Sequence, residues 1–187
     1  LAVHGCGGVG LSAVQIGSAL GARVLAVDLD EDALGRAVEL GADATVNAEE
    51  AGEGDGPSDV VEAVRDATDG GAAVSMDALG VAETCRNSVR CLAPRGTHVQ
   101  VGLTTDAEKG EVSLPTDWMT RWEIDFVGSR GMPPTDYGRL FDLVEAAGVD
   151  PGALVTREVA LSEVSDRLAA MDDYGTAGVE VVTDFSG

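Results

Sequence analysis

Short apolar runs alternate along this chain with longer stretches in which apolar residues recur every three or four positions. Runs of the first kind lie at Leu1–Gly5, Arg23–Asp28, Ala44–Asn47, Ala73–Asp77, Thr97–Gly102 and Ile124–Gly128. Several are almost continuously apolar, as strands covered on both faces must be. Stretches of the second kind, Val9–Leu20, Glu31–Leu40, Ser58–Thr68, Ala82–Leu92 and Thr135–Ala147, read as helices. Val60, Val61 and Val64 share one face of the third, and Leu140, Leu143 and Val144 line the fifth. Strand–helix alternation of this kind predicts an α/β fold built on a parallel sheet.

Punctuation supports those boundaries. Asp30 is placed to cap the second helix, and Gly41 sits where that helix should end in a left-handed turn. Pro57-Ser58 opens the third helix, and Pro94-Arg95-Gly96 turns into the fifth strand. The acidic, glycine-rich stretch Glu49–Gly56 reads as a mobile surface loop. After Val149-Asp150-Pro151 the pattern changes: Ala153–Val159 is extended, Leu161–Met171 helical and Val179–Thr183 extended again. Residues 149–187 thus form a βαβ-like tail too short for a core of its own, behind a main domain at 1–148. No internal repeats are present.

The first strand leads into Gly5-Cys6-Gly7-Gly8-Val9-Gly10, which opens a helix, and the second strand ends on Asp28. A glycine loop between strand and helix, with an acid about 20 residues on, is the dinucleotide-binding fingerprint. Gly5 makes the tight turn, Gly7 lets the backbone approach a pyrophosphate, and Gly10 lets the helix sit close on the sheet. The pyrophosphate then meets unpaired N–H groups at a helix N-terminus. Asp28 accepts from the adenosine ribose hydroxyls and repels a 2′-phosphate, which favours NAD over NADP.

Charge narrows the partners. The chain carries 33 acidic and 12 basic residues, a formal net charge of −21. Nucleic acid and anionic membrane surfaces are excluded as partners, because both require a basic face. Lys109 is the only lysine among these basic residues. Acid excess with lysine depletion suits a protein working in molar salt, where self-repulsion is screened. Residues 1–22 carry no charged side chain, but their six glycines and polar residues make a spanning helix implausible. The missing charged leader argues against a signal peptide. Three cysteines (Cys6, Cys85, Cys91) lack a C-x-x-C pair, so a reducing cytoplasm is expected. The chain begins on a leucine inside a strand, so it is expected to be a piece of a longer protein.

His4-Gly-Cys-Gly-Gly-Val-Gly10, Val27-Asp28 and Leu40-Gly-Ala-Asp43, followed by Met76-Asp-Ala-Leu-Gly80, Val101-Gly-Leu103 and Val127-Gly-Ser129, together resemble the medium-chain dehydrogenase/reductase family. Specifically, the chain resembles its zinc-dependent alcohol dehydrogenases, in their C-terminal cofactor-binding part, and the resemblance runs over the whole chain. The resemblance implies a Rossmann doubly wound parallel sheet of order 3-2-1-4-5-6, with 149–187 returning to a catalytic domain that is missing here. It implies cofactor contacts from Gly5, Gly7, Gly8, Val9, Gly10, Asp28, Ala78, Leu79, Val101, Gly102, Leu103 and Ser129. It also implies pairing of sixth strands, Glu123–Ser129, in a homo-oligomer, and an intact enzyme that oxidises a small alcohol or reduces an aldehyde. Trp118 and Trp122, one helical turn apart, suit either a contact surface or the core.

Two features depart from the family. None of the zinc ligands of its catalytic domain is present, since three scattered cysteines and two histidines supply no such set. This chain alone is therefore expected to bind cofactor, to hold no metal and to contribute no catalytic residue. The basic residue that relatives often place at the start of the last strand is also absent, for Gly178-Val179-Glu180 stands there. His4 and His98 read as hydrogen-bonded structural residues, and Cys6 as a small side chain tolerated near the phosphates. Asp77 either orients the cofactor or caps the next helix. Three alternatives stand beside this reading: a zinc-free quinone or enoyl reductase using NADPH, a methyltransferase using S-adenosylmethionine, and a non-catalytic nucleotide-sensing module.

Overall fold

The apolar runs become six parallel strands in one sheet, in the order β3-β2-β1-β4-β5-β6, as the resemblance implied. The computed structural model describes residues 1–49, 59–172 and 176–186. Strands β1 (Ala2–His4), β2 (Leu25–Asp28) and β3 (Ala44–Asn47) form one half of the sheet. Strands β4 (Ala72–Asp77), β5 (Leu92–Gln100) and β6 (Asp125–Gly128) form the other. Helices α1 (Gly8–Ala19) and α2 (Glu31–Glu39) join the first three strands. Helices α3 (Asp59–Ala67), α4 (Ala82–Arg90) and α5 (Thr116–Trp122) lead into the next three, and α6 (Tyr137–Ala147) follows the last.

Two apolar layers cover the sheet. One joins Val3 and Ala26 to Leu11, Val14 and Leu34 of α1 and α2. The other joins Ala2 and Val27 to Val60 and Val64 of α3 and to Leu92. The three valines predicted to share a helical face are all buried. Helix α6 has no buried residue, and Leu140, Leu143 and Val144 are only half-covered.

Local chemistry sets the boundaries. The Asp30 side chain accepts from the Asp32 N–H at 2.9 Å, capping α2. That helix ends with Ala42 N–H donating to Ala37 O and Gly41 N–H to Val38 O, a Schellman turn that needs the left-handed φ of +105° at Gly41. Pro94-Arg95-Gly96 does not precede the fifth strand but lies inside it. Leu92 already pairs with Ala72, and the register then slips so that Thr97 meets Val74. Arg95, at φ +63°, takes the bend of this bulge. Helix α5 was not predicted as an element beyond the Trp118–Trp122 step. There the two indoles stack with centroids 5.7 Å apart, and the Arg65 guanidinium lies 5.3 Å from the Trp122 ring centre. Trp118 packs on the second apolar layer, which gives it a core role. Residues 50–56 of the acidic loop and the Pro57-Ser58 helix start lie outside the described residues.

The tail folds as β7 (Val155–Ala160), α7 (Val164–Asp172) and β8 (Val179–Asp184), with β7 and β8 paired in parallel as a separate two-stranded sheet. It docks through the 3₁₀ turn Pro151–Leu154. Gln15 of α1 donates to Asp150 O at 2.9 Å, Arg36 of α2 donates to Ala153 O at 3.1 Å, and Leu154 enters the first apolar layer. Removing that buried side chain costs transfer energy and leaves a cavity. We expect Leu154→Ala to lower unfolding free energy by about 3 kcal/mol, measured in denaturant. An unchanged midpoint would mean that the tail is not seated on the main domain.

Candidate cofactor-binding site

The reversal of strand order between β1 and β4 opens a crevice at the carboxyl end of the sheet, where doubly wound folds place their ligands. Its volume is about 530 Å³. Gly5, Gly7, Gly8, Asp28, Ala78 and Leu79, six of the residues expected from the sequence, line it.

The glycine loop is held from below. Gly5 N–H donates to Val27 O at 2.9 Å, and Gly5 has φ +90°. Cys6 N–H donates to Asp28 Oδ2 at 2.6 Å, and Asp30 N–H donates to Asp28 Oδ1 at 3.0 Å. The Asp28 carboxylate thus ties the loop to the end of β2, while each oxygen keeps a lone pair for a further donor. A Cβ on Gly10 would lie 1.7 Å from Gly5 O, so only glycine lets α1 approach the turn this closely. A Cβ on Gly7 would meet nothing within 4 Å; its Cα faces open space. Gly7 caps α1 without a side-chain hydrogen bond. The head of the helix therefore presents backbone N–H groups to the crevice, which suits a pyrophosphate.

The other predicted positions divide. Val9 is exposed and Gly10 buried beneath the loop, neither lining the crevice. Val101, Gly102 and Leu103 form the loop after β5, beside the crevice and against the turn after β4: a Cβ on Gly80 would lie 2.0 Å from Leu103 O. Leu103 is 77% exposed at this rim. Ser129 lies further along the same edge, and its N–H is already donated to Gln100 O at 2.9 Å.

Asp77 is completely buried. Its Oδ1 accepts from Leu79 N–H at 2.9 Å and Gly80 N–H at 3.0 Å, and its Oδ2 from Gln100 Nε2 at 2.8 Å. It shapes the turn after β4 and does not cap α4, whose N-cap is Val81. That N-terminus is served from across the rim by Glu108, whose Oε1 accepts from Ala82 N–H at 3.1 Å. Hydrogen bonds from Thr105 and Ala82 hold the Glu108 carboxyl below its usual range.

His4 and His98 are structural. His4 Nε2 lies 3.5 Å from Cys91 Sγ, and burial lowers its pKa to about 4. His98 is hydrogen-bonded to Ser88 and Gln100. Burial also pushes the thiols up, Cys6 and Cys91 to about 12 and Cys85 to about 11, so none is a ready nucleophile. Among the described residues, no group of three or more His, Cys, Asp or Glu is arranged to hold a metal ion.

Sequence reasoning missed the far wall. Met171 and Thr176–Gly178 of the tail line the crevice, and a Cβ on Gly8 would lie 2.8 Å from Gly178 O. The signal expected in that segment is a basic side chain, and a glycine in backbone contact carries none. Glu180 is turned away, paired with Arg167 at 2.8 Å between Oε2 and Nε. The described lining contains no lysine or arginine.

This geometry has counterparts among known proteins. The NAD-dependent alcohol dehydrogenase of Sulfurisphaera tokodaii is 31% identical over 178 residues, covering 94% of this chain and 48% of that protein. The sorbitol dehydrogenase of Halalkalibacterium halodurans is 30% identical over 164 residues, covering 86% and 45%. The chain thus spans about half the length of the curated relatives it matches. Among solved structures, the alcohol dehydrogenase of Aeropyrum pernix superposes with a TM-score of 0.79 at 28% identity, covering 97% of this chain and 50% of that one. A zinc-binding dehydrogenase of Sinorhizobium meliloti with NADP bound gives 0.77 at 29%, covering 97% and 50%. Residues 8–146 match the family described as zinc-binding dehydrogenase, and the chain belongs to that family.

Proposed function

We propose that this chain is the NAD-binding part of a zinc-dependent alcohol dehydrogenase-like oxidoreductase. The observation that carries the reading is the head of α1, whose backbone N–H groups face the crevice across the open side of Gly7 with Asp28 beside them. Residues 1–148 are the cofactor domain, and 149–187 return to a catalytic domain. No set of donors among the described residues makes a zinc site, and the reading assigns zinc and substrate to that other domain. An alcohol or aldehyde is the substrate class, which the names of the relatives support.

Each residue's task follows from its place. Gly5, Gly7, Gly8, Val9 and Gly10 shape the loop that receives the pyrophosphate. Asp28 takes the adenosine ribose hydroxyls with the lone pairs left free by Cys6 and Asp30. With the adenosine toward β2 and the pyrophosphate over β1, the nicotinamide half runs across the ends of β4 and β5. There Ala78, Leu79, Val101, Gly102 and Leu103 border it, with Ser129 beyond. Bound nicotinamide supplies hydride acceptance and donation at its ring; the protein residues orient it and exclude water. A second reading, an NADPH-using reductase, draws support from the NADP-bound neighbour.

Two further proposals concern its setting. The net charge of −21 with a single lysine suits work in molar salt, and three free, buried cysteines suit a reducing cytoplasm. No helix among the described residues is long and apolar enough to cross a membrane. Strand β6 is an exposed sheet edge carrying Phe126 and Val127. Such an edge invites pairing, and Glu123–Ser129 is proposed to pair with a second copy.

Calorimetric titration in molar KCl with NADH, NADPH and S-adenosylmethionine tests the cofactor. NADH is expected to bind more tightly than NADPH, and the methyl donor not at all. Equal NADPH binding would move the chain to the reductase reading. Asp28→Asn should narrow the NADH preference about tenfold, the worth of one charge-assisted hydrogen bond; an unchanged ratio would place ribose recognition elsewhere. Gly7→Val fills the open side of the loop and should abolish NADH binding, so wild-type affinity in that variant would relocate the ligand. Sedimentation of the intact protein in molar KCl should give a dimer or larger, and a monomer would refute the β6 contact.

A further inference from the structure

The rim of the crevice rests on one amide. Gln100, the last residue of β5, sends its side chain toward β4. Its Nε2 lies 2.8 Å from both Asp77 Oδ2 and Gly102 O. Both partners only accept, so the NH₂ end of the amide faces them and its oxygen faces the other way. Gln100 Oε1 then lies 3.0 Å from His98 Nε2, which must carry the proton. The remaining ring nitrogen, Nδ1, accepts from Ser88 Oγ at 3.0 Å, while Ser75 Oγ donates to Ser88 O at 2.7 Å. Ser75 Oγ also lies 3.4 Å from the same Nδ1 and donates to the nearer Ser88 O, so the amide orientation sets the proton on His98 Nε2. Burial lowers the His98 pKa and favours the neutral ring this order requires. Phe126 of β6 packs on the same ring, centroid to centroid 4.5 Å.

The two acceptors of the Gln100 amide belong to different loops. Asp77 holds the turn after β4 through Leu79 and Gly80 N–H. Gly102 is the middle of the loop after β5, and its own N–H donates to Asp77 O at 2.9 Å. A Cβ on Gly102 would lie 2.4 Å from Gly80 N, so the loops already touch where the amide grips them. We propose that Gln100 is a positioning residue for the cofactor: its amide clasps the loops after β4 and β5 into one rim for the nicotinamide half, and Ser88 and His98 fix which way the amide points. This rests on the cofactor reading above. The amide itself holds neither the glycine loop nor Asp28, so its loss bears first on the nicotinamide half.

The test compares NADH with ADP-ribose, which lacks the nicotinamide, by titrating the intact protein. Gln100→Met removes all three polar contacts. Gln100→Glu keeps an acceptor for His98 and turns an oxygen, in place of the donating NH₂, against the Asp77 carboxylate and the Gly102 carbonyl, so the clasp becomes a repulsion. Both variants should weaken NADH about tenfold, the scale of lost charge-assisted hydrogen bonding, and leave ADP-ribose within about twofold. Equal losses for both ligands would reduce Gln100 to a structural residue and overturn the proposal, as would wild-type NADH affinity in Gln100→Glu. If the unmutated protein binds neither ligand, the cofactor reading itself fails and takes the clasp's role with it. Should the variants not fold, nitrogen NMR of the His98 ring in the unmutated protein decides the matter. A protonated Nε2 and bare Nδ1 are expected. The opposite tautomer, with Nε2 bare, would require the Gln100 amide to be turned round and would overturn the clasp.

Discussion

The close approach of α1 to the turn after β1 is the constraint on which the rest of the site depends. With a Cβ on Gly10 only 1.7 Å from Gly5 O, no other residue lets the helix start where it does. Because the helix starts there, its uncapped N–H groups point across Gly7 into the crevice. The loop between is too short to hold itself, and Asp28 supplies the missing restraint by gripping Cys6 N–H from the next strand. One carboxylate therefore holds the loop and lines the crevice, and the ribose role proposed for it draws on the lone pairs that remain.

The parts of this arrangement that repeat along the chain were legible in the sequence. Apolar runs predicted all six strands of the main sheet, and the glycine spacing located the crevice. What was misplaced lay where backbone geometry, not side-chain pattern, decides. Pro94-Arg95-Gly96 carries every mark of a turn, yet the chain bends there without leaving the sheet, because Leu92 has already paired with Ala72. Helix α5 is too short for a periodic signal and has no side-chain cap at its start. The tail's wall was missed because Gly178 meets Gly8 through a carbonyl, which leaves no chemical signature in the residue types. Asp77 was expected to orient the cofactor or cap the next helix; it is buried and holds the turn after β4 instead. Its partner Gln100 lies 23 positions away in sequence and forms no motif with it.

Electrostatics gives the site an unusual balance. A protein of net charge −21 is asked to hold a pyrophosphate without a lysine or arginine in the described lining. The attraction has to come from contact-range donors at the head of α1, whose dipole acts over about one helical turn. The repulsion comes from charges spread over the whole surface, and it acts over the Debye length. At about 0.1 M salt that length is roughly 10 Å, and at 1 M roughly 3 Å. Salt therefore removes the repulsion while leaving the backbone donors in place. The acid-rich composition, and Gly178-Val179-Glu180 where relatives often carry a basic residue, both weigh less against a bound pyrophosphate as salt rises, which is the ground for proposing molar salt as the setting.

The tail completes this logic. Its β7–β8 pair is too small to stand as a folded unit, yet it supplies one wall of the crevice through Thr176–Gly178. Leu154, Gln15 and Arg36 hold it on the α1–α2 face, the side of the sheet away from the clasp at Gln100. The crevice is thus bordered by two sets of contacts that share no residue. One places the return segment against the glycine loop, and the other locks the loops after β4 and β5 together. On the proposed reading, a displacement of the tail alters the phosphate side, and a displacement of the amide alters the nicotinamide side. Only the glycine loop, pinned by Asp28 between them, is common to both.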